Sequence, residues 1–192
     1  MTEKQILEAI KNDPQNFVII YNDYYRSIFN YCYRRTDNFD LSLDLCAEVF
    51  LKAFIHIGKF EWKKIPIKHW LYRIATNELK LYFRSRKYTP QIYSQIQDGF
   101  EIPSTHHELL IEKENAQMEM EKSEEFLKLH RAVKKLPLKY QEAMTLKYFE
   151  NLKIKDIAAI LKKKEGTVKS LLSRALVKLQ DYLLPMQREG EN

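Results

Sequence analysis

Residues 154–179 read IKDIAAILKKKEGTVKSLLSRALVKL, and this stretch predicts two helices joined by a tight turn. Apolar residues recur at helical spacing in both parts, so we expect one helix at about 154–161 and another from about Gly166 to Leu184. At about 100 degrees per residue, one side of the second helix is apolar and predicts its core face: Val168, Leu172, Ala175 and Leu179. Two short helices in this order are typical of a helix-turn-helix.

The other side of the second helix carries side chains suited to DNA. These are donors and short residues near its start: Thr167, Lys169, Ser170, Ser173 and Arg174. Phosphates favour the N-terminal end of a helix, and short side chains let the backbone approach the bases of a major groove. We expect Lys162, Lys163 and Lys164 in the turn to bind phosphates. The same pattern also fits a solvated polar face on a helical bundle.

The first part of the chain also predicts helices, because apolar residues recur at helical spacing from Phe17 to Cys32. A polar break is expected at residues 35–40, a second helix from about Ser42 to Ile57, and a third from about Ile67 to Arg86. The 192 residues include only four Gly and six Pro, which is typical of an all-α protein. We therefore predict two small helical domains, at residues 1–90 and 123–192.

The third of these helices combines basic and aromatic residues. Arg73, Asn77, Lys80 and Arg84 follow one another at spacings of four, three and four, so they line one face. Nearby aromatic residues include Trp62, Trp70, Tyr72, Tyr82 and Phe83. Unstacked bases bind to aromatic rings and phosphates bind to cations, so this composition suits single-stranded nucleic acid. A tyrosine-rich core with a charged outer face is the alternative.

The second helix predicts a protein-binding patch. Its expected core face comprises Leu43, Ala47, Phe50, Leu51 and Phe54. The opposite face carries Asp44, Glu48 and Lys52, with Leu45 and Val49 among them. Exposed aliphatic residues among charges can mark a contact with another protein, although isolated ones are common on any surface.

Residues 91–122 predict a flexible acidic linker, since they hold Gly99 and Pro103 and no sustained apolar pattern. The net charge is +5 over residues 1–90, −5 over 91–123 and +7 over 124–185, and the two basic blocks favour a polyanionic partner. The His106–His107 pair has no further ligand at a useful spacing, so no metal or cofactor is expected. Cys32 and Cys46 fit reduced core thiols. With no signal peptide or membrane-spanning run, a cytoplasmic protein is expected.

The motifs together resemble the extracytoplasmic-function class of sigma factors. Residues 44–54, DLCAEVFLKAF, resemble region 2.2, and residues 70–77, WLYRIATN, resemble regions 2.3 and 2.4. Leu136-Pro137, Ile157-Ala158, and GTVKS at 166–170 with SRA at 173–175 are similar to region 4. The motifs stand in the family's order and spacing, and cover most of the chain outside the linker.

The resemblance implies a role for each matched set, in a protein that directs core RNA polymerase to promoters and performs no catalysis. Polymerase contacts are implied for Asp44, Leu45, Glu48, Val49 and Lys52, and contacts with the −10 element for Phe60, Trp62, Lys68, Arg73, Asn77, Lys80, Arg84 and Arg86. The −35 element is assigned to Lys162, Lys163, Lys164, Thr167, Lys169, Ser170, Ser173 and Arg174. Implied partners are the clamp helices of the largest polymerase subunit, the flap of the second-largest, promoter DNA and an anti-sigma factor.

The chain departs from the family pattern at a few positions. Ala47 stands where Gln is usual, Leu81 where Asp is usual, and Leu171 where Arg is frequent. We expect Leu81 and Leu171 to flank apolar faces, so they alter promoter preference rather than fold. The alternative function is a stand-alone helix-turn-helix regulator, against which the aromatic and basic surface of the first domain argues. An enzyme is not expected, because no phosphate loop, metal cluster or nucleophile–base arrangement is present in the sequence.

Overall fold

The computed structural model describes residues 1–61, 65–85 and 124–188, and the regular elements in these ranges are all helical. The all-α prediction is confirmed. The α-helices are α1 (Glu3–Asn12), α2 (Phe17–Thr36), α3 (Phe39–His56), α4 (Ile67–Arg84), α5 (Glu124–Lys134), α6 (Leu138–Met144), α7 (Ile154–Leu161) and α8 (Glu165–Arg188). A π-helical turn, Thr145–Phe149, continues α6. The predicted linker and the His106–His107 pair lie outside the described residues.

Short polar residues and one long-range contact fix the helix ends of the first domain. Asp37 ends α2 in the left-handed region, with a φ of 52°, and the Asn38 side chain then accepts the Leu41 N–H at 2.9 Å to begin α3. The residue before α4 is Pro66, which provides no capping side chain. Glu3 of α1 supplies the cap instead, because its carboxylate accepts the Ile67 N–H at 3.0 Å. The N-terminal helix therefore holds the start of α4.

The core of the first domain lies where α2, α3 and α4 pack together. Inside it, the hydroxyl groups of Tyr31 on α2 and Thr76 on α4 are hydrogen-bonded at 3.0 Å. Cys32 and Cys46 are buried and free, as predicted for core thiols, and burial raises the pKa of Cys32 to about 12. Fully buried side chains between these helices include Phe17, Ile20, Leu45, Val49 and Leu71.

The predicted orientation of α3 is wrong. Leu45 and Val49, expected on an exposed face, have no exposed surface, whereas Leu43 and Leu51, expected in the core, are half-exposed. The physical reason is that α3 packs against both α2 and α4, so its buried arc is wide and is rotated toward Leu45 and Val49, with only Phe50 of the predicted core face fully inside it. Its outward face instead carries Asp40, Asp44, Ala47, Leu51 and Ile55.

In the second domain α8 packs against α5, α6 and α7, with α7 and α8 forming the predicted helix-turn-helix. Val168, Leu172, Ala175 and Leu179 are buried, which confirms the predicted core face of α8. The turn between the two helices is tight because Lys162 ends α7 with a φ of 52°. The two domains also contact each other directly, mainly between α4 and α7 and between α2 and the π-helical turn.

Candidate nucleic-acid interface

The start of α8 presents a polar surface to solvent. Thr167, Lys169, Ser173 and Arg174 are exposed and Ser170 is half-buried, while Lys162, Lys163 and Lys164 in the turn are exposed as well. The predicted division of this helix into a buried and a solvent-facing side is therefore confirmed. The start of α8 is the positive end of the helix dipole, which reinforces the cations around it for binding a phosphate backbone. An exposed helix of this kind fits a major groove.

The two departures from the family pattern have different environments. Leu171 is buried in the core of the second domain, beside the polar surface of α8, as expected. Leu81 is 51% exposed, so it stands at the surface of α4 and outside the core. On α4 it follows Asn77 by one turn and lies near Arg84, and both of these residues are also exposed. An apolar side chain therefore stands within the polar surface of α4.

The predicted basic stripe on α4 is divided between solvent and the second domain. Asn77 and Arg84 are exposed, but Arg73 and Lys80 are half-buried against the second domain. The Arg73 Nη2 donates to the main-chain oxygen of Ala159 at 2.6 Å, and the Lys80 Nζ lies 3.4 Å from the Glu142 carboxylate. Burial lowers the pKa of the Arg73 guanidinium, whose Nε has no hydrogen-bond partner.

A second cluster joins the domains beside this stripe. Arg34 of α2 donates to the carboxylate of Glu150 at 2.6 Å and to the main-chain oxygen of Phe149 at 3.3 Å. The Tyr72 hydroxyl donates to the other oxygen of the same carboxylate at 2.5 Å. Burial and the neighbouring Glu150 both raise the pKa of Tyr72. Since the Glu150 side chain is only 7% exposed, its charge is held by these donors rather than by water.

The edges of the domain contact carry further polar pairs. The His130 Nε2 is 2.9 Å from the main-chain oxygen of Arg34, and Lys134 donates to Asp37. Sequence patterns did not reveal any of these cross-domain partners. The contacts of Arg34, Tyr72, Glu142 and Glu150 left no local signal in the sequence, because each partner lies far away along the chain.

The remaining residues predicted to bind the −10 element are only partly described. Phe60 stands with its ring 4.6 Å from that of Trp70, so these two aromatic residues form a half-buried platform before α4. Lys68 is half-buried in the first turn of α4. Trp62 and Arg86 lie outside the described residues.

The residues that the resemblance assigns to polymerase do not form one exposed patch. Asp44 is exposed, whereas Leu45 and Val49 are core residues and Glu48 is mostly buried. Lys52 donates to Glu78 at 2.6 Å and lies 2.9 Å from Glu48. Burial opposes the charge of Lys52, but its hydrogen bonds to both carboxylates raise its pKa overall.

Two other kinds of site were sought within the described ranges. No group of three or more His, Cys, Asp or Glu side chains there is arranged to hold a metal ion. Among the helices described, none combines the length and hydrophobicity that a bilayer crossing requires.

Comparison with known proteins gives consistent matches along the chain. Residues 20–89 match the family model for Sigma-70 region 2, and residues 126–179 match the model for Sigma-70, region 4. The chain is 30% identical over 187 residues to the ECF RNA polymerase sigma factor SigW of Bacillus subtilis, covering 95% of this chain and 97% of that protein. It is 28% identical over 189 residues to the RNA polymerase sigma-H factor of Pseudomonas aeruginosa, covering 98% of this chain and 97% of that protein.

Solved structures share the fold. CnrH, in complex with the cytosolic domain of CnrY, aligns with a TM-score of 0.65 at 16% identity, covering 93% of this chain and 94% of CnrH. The sigma factor RpoE from Bartonella quintana, in complex with the anti-sigma factor NepR, aligns with a TM-score of 0.61 at 22% identity, covering 88% and 97%. At these identities the likeness concerns the arrangement of the helices.

Proposed function

The chain belongs to the sigma-70 family as an extracytoplasmic-function sigma factor, a protein that directs promoter-specific transcription, and from this premise we propose how its surfaces divide that task. Residues 1–90 form the unit that binds core polymerase and holds the melted −10 element. Residues 91–122 connect it to the unit at 123–192, which reads the −35 element. The observation that carries this proposal is the presence, in one chain, of a helix-turn-helix with an exposed polar side and a separate surface of basic and aromatic residues on α4.

The −35 element is read by the exposed side of α8. Lys169, Ser170, Ser173 and Arg174 reach base edges, while Thr167 and the three lysines of the turn bind the backbone. The exposure of these side chains and their position in the first turns of α8 support this assignment. Because Leu171 is buried, it shapes the reader through packing rather than by touching a base.

The −10 element is held by α4 and the segment before it. Arg73, Lys80, Arg84 and Arg86 bind the phosphates of the opened strands, and Asn77 reads an extruded base together with Phe60, Trp62 and Lys68. The close contact of the tilted Phe60 and Trp70 rings supports a binding surface for unstacked bases, since aromatic rings substitute for the neighbours that a base loses on melting.

Core polymerase binds the outward side of α3. Of the residues first assigned to this contact, Asp44 is exposed. Lys52 is half-buried and Glu48 is buried, and both lie on the side of α3 next to Asp44. Leu51 and Ile55 supply the apolar part of the surface, in place of the buried Leu45 and Val49. We propose the clamp helices of the largest subunit as the partner of α3, and the flap of the second-largest subunit as the partner of the second domain.

An anti-sigma factor is the remaining proposed partner, as for RpoE, whose structure was solved with one. The chain itself performs no chemistry in this account, because RNA synthesis belongs to the polymerase it recruits.

Affinity capture followed by run-off transcription tests the proposed function. Tagged chain should retain core polymerase from a bacterial extract, and the recovered complex should initiate at a subset of promoters in a genomic library. The matched control is a variant with Asp44→Lys and Ile55→Asp, which should lose core binding and run-off products while keeping its helicity. Transcription that is unchanged by adding the chain to core would contradict the proposal.

A further inference from the structure

A carboxylate of α1 holds the start of α4, the helix assigned to the −10 element. Glu3 and Ile67 are 64 positions apart in the chain, and the Glu3 side chain accepts the Ile67 N–H at 3.0 Å. We propose that Glu3 is a positioning residue for −10 recognition, which acts by fixing the first turn of α4 and not by touching DNA. This inference rests on the proposed function, because it assumes that Lys68 and Phe60 bind the opened strand.

The start of α4 depends on a distant residue because the local sequence offers no capping side chain. In a local cap, a short polar side chain just before the helix accepts one of its first N–H groups. Pro66 occupies this position and makes no such hydrogen bond. Ile65 and Ile67 on either side of it are buried, so the chain enters α4 against the core. Glu3 therefore satisfies a donor that the prolyl side chain cannot satisfy.

Other residues begin α1 itself, so the Glu3 side chain can reach α4. Thr2 and Gln5 form a capping box, in which the Thr2 N–H donates to the Gln5 Oε1 at 2.8 Å and the Gln5 N–H donates to the Thr2 Oγ1 at 3.3 Å. Ile6 and Ile10 of α1 are buried in the core. The helix is thus anchored to the first domain, and it presents the Glu3 carboxylate from a fixed position.

The first turn of α4 carries or supports groups that we assign to the −10 element. Lys68 is the second residue of the helix, and Trp70 follows within the same turn. The centroid of the Trp70 ring lies 4.6 Å from that of Phe60. Helix ends open more easily than helix centres. If the Ile67 N–H loses its acceptor, the turn that places Lys68 and Trp70 should therefore be the first part of α4 to lose its fixed geometry.

The effect should be confined to this end of α4. Asn77 lies about three turns after Ile67. Beside it, Thr76 is hydrogen-bonded to Tyr31 of α2 at 3.0 Å inside the core. The middle of α4 is therefore held independently of Glu3. Loss of the cap should weaken −10 recognition in part and leave −35 recognition by the second domain intact.

Run-off transcription with core polymerase and the full chain tests the inference. Output is measured on an intact promoter and on two derivatives, one changed at the −10 element and one at the −35 element. Glu3→Ala should lower the ratio of output from the intact promoter to output from the −10 derivative by about threefold or more. The reason is that only the intact −10 element uses the contacts that the first turn positions. The corresponding ratio for the −35 derivative should stay at the wild-type value.

Two further variants separate the reach of the side chain from its charge. Glu3→Gln keeps an oxygen at the same reach and should retain most of the wild-type −10 ratio. Glu3→Asp keeps the charge but is one methylene shorter, so it should resemble Glu3→Ala. Hydrogen exchange of the Ile67 amide in the free chain should be faster in the Ala and Asp variants than in the wild type and the Gln variant. If Glu3→Asp kept the ratio and Glu3→Gln lost it, charge would matter in place of the hydrogen bond, and the inference would be overturned.

Two control variants on α1 match the change in charge and the loss of stability. Glu8→Ala makes the same charge change on a side chain that is 59% exposed. Ile10→Val removes one methyl group from the core beneath the same helix. Both should keep the wild-type −10 ratio. If Glu3→Ala loses helicity, the Gln and Asp variants carry the comparison.

The outcomes distinguish this inference from the proposed function. An equal fall of the −10 ratio in Glu3→Ala and Ile10→Val would show that Glu3 serves stability alone, and would refute the inference. So would a Glu3→Ala variant that discriminates as well as the wild type, and in that case the proposed function stands. A wild-type chain that responds to changes at −35 but not at −10 would remove the −10 assignment itself, and the inference with it.

Discussion

Arg34 and Glu150 lie 116 positions apart in the chain, yet their side chains form an ion pair of 2.6 Å across the contact between the two domains. Both groups are largely shielded from water, with 20% and 7% of their side chains exposed. A pair of this kind is worth more than an exposed surface ion pair, since little solvent competes with it.

The first prediction concerns the energy of this pair. Arg34→Ala and Glu150→Ala, measured singly and together by urea unfolding, should show a coupling free energy of about 1–3 kcal/mol, which is typical of a hydrogen bond to a charged group. The exposed pair of Lys4 and Glu8 on α1 is the control, with an expected coupling of about 0.5 kcal/mol or less. Additive effects of Arg34→Ala and Glu150→Ala would show that the two side chains do not interact in solution.

The second prediction concerns the orientation of α3. Leu45→Ala should lower the free energy of unfolding by about 2–5 kcal/mol, because Leu45 has no exposed surface and its removal leaves a cavity. Ile55→Ala should cost less than about 1 kcal/mol, since Ile55 is 54% exposed on the same helix. Chemical denaturation of both variants measures these two changes in the free energy of unfolding. If Leu45→Ala proved harmless and impaired only polymerase binding, the original placement of Leu45 on an exposed face would be right.

The third prediction concerns the α8 reader. Arg174→Ala should lower run-off transcription from promoters with an intact −35 element, because a specific base contact contributes about 1–3 kcal/mol of discrimination. Gln180→Ala, also exposed on α8 but almost two turns further on, is the matched control and should leave promoter choice unchanged. Equal output from both variants on every promoter would remove Arg174 from the reader.

The fourth prediction concerns Leu81 on the open part of α4. Leu81→Asp introduces the residue usual in the family, and the free energy of unfolding should change by about 0.5 kcal/mol or less, because Leu81 is 51% exposed. Promoter selection from a library by core with this variant should shift at the −10 element. A large loss of stability would place Leu81 in the core, and an unchanged selection would show that it does not influence recognition.

Much of the fold follows from the sequence. The bounds of α7 and the core face of α8 were predicted correctly. On α8, Val168, Leu172 and Ala175 recur at helical spacing with polar residues between them. The orientation of α3 was not predicted correctly, since this helix has apolar residues on several sides and packs against two neighbours. Its true burial depends on where α2 and α4 lie, which a helical period does not specify.

The candidate site likewise has features that the sequence predicts and features that it does not. The solvent-facing side chains of α8 were predicted correctly because they follow one another on a single polar face. The contacts of Arg73 with Ala159 and of Lys80 with Glu142 were not predictable, because they depend on how segments far apart in the chain meet. A local pattern shows that a side chain is basic, but it does not show which distant oxygen it binds.

The most direct test of the central claim, that this chain confers promoter recognition on polymerase, compares DNA binding with and without core. Gel shifts and permanganate footprints should be recorded for the chain alone, core alone and both together on a promoter that run-off transcription identifies. The chain alone should bind weakly, with steep dependence on salt and no reactive thymines, and the combination should give a specific complex with melted thymines at the −10 element. Tight, sequence-specific binding of duplex DNA by the free chain at physiological salt, with no change on adding core, would contradict the account.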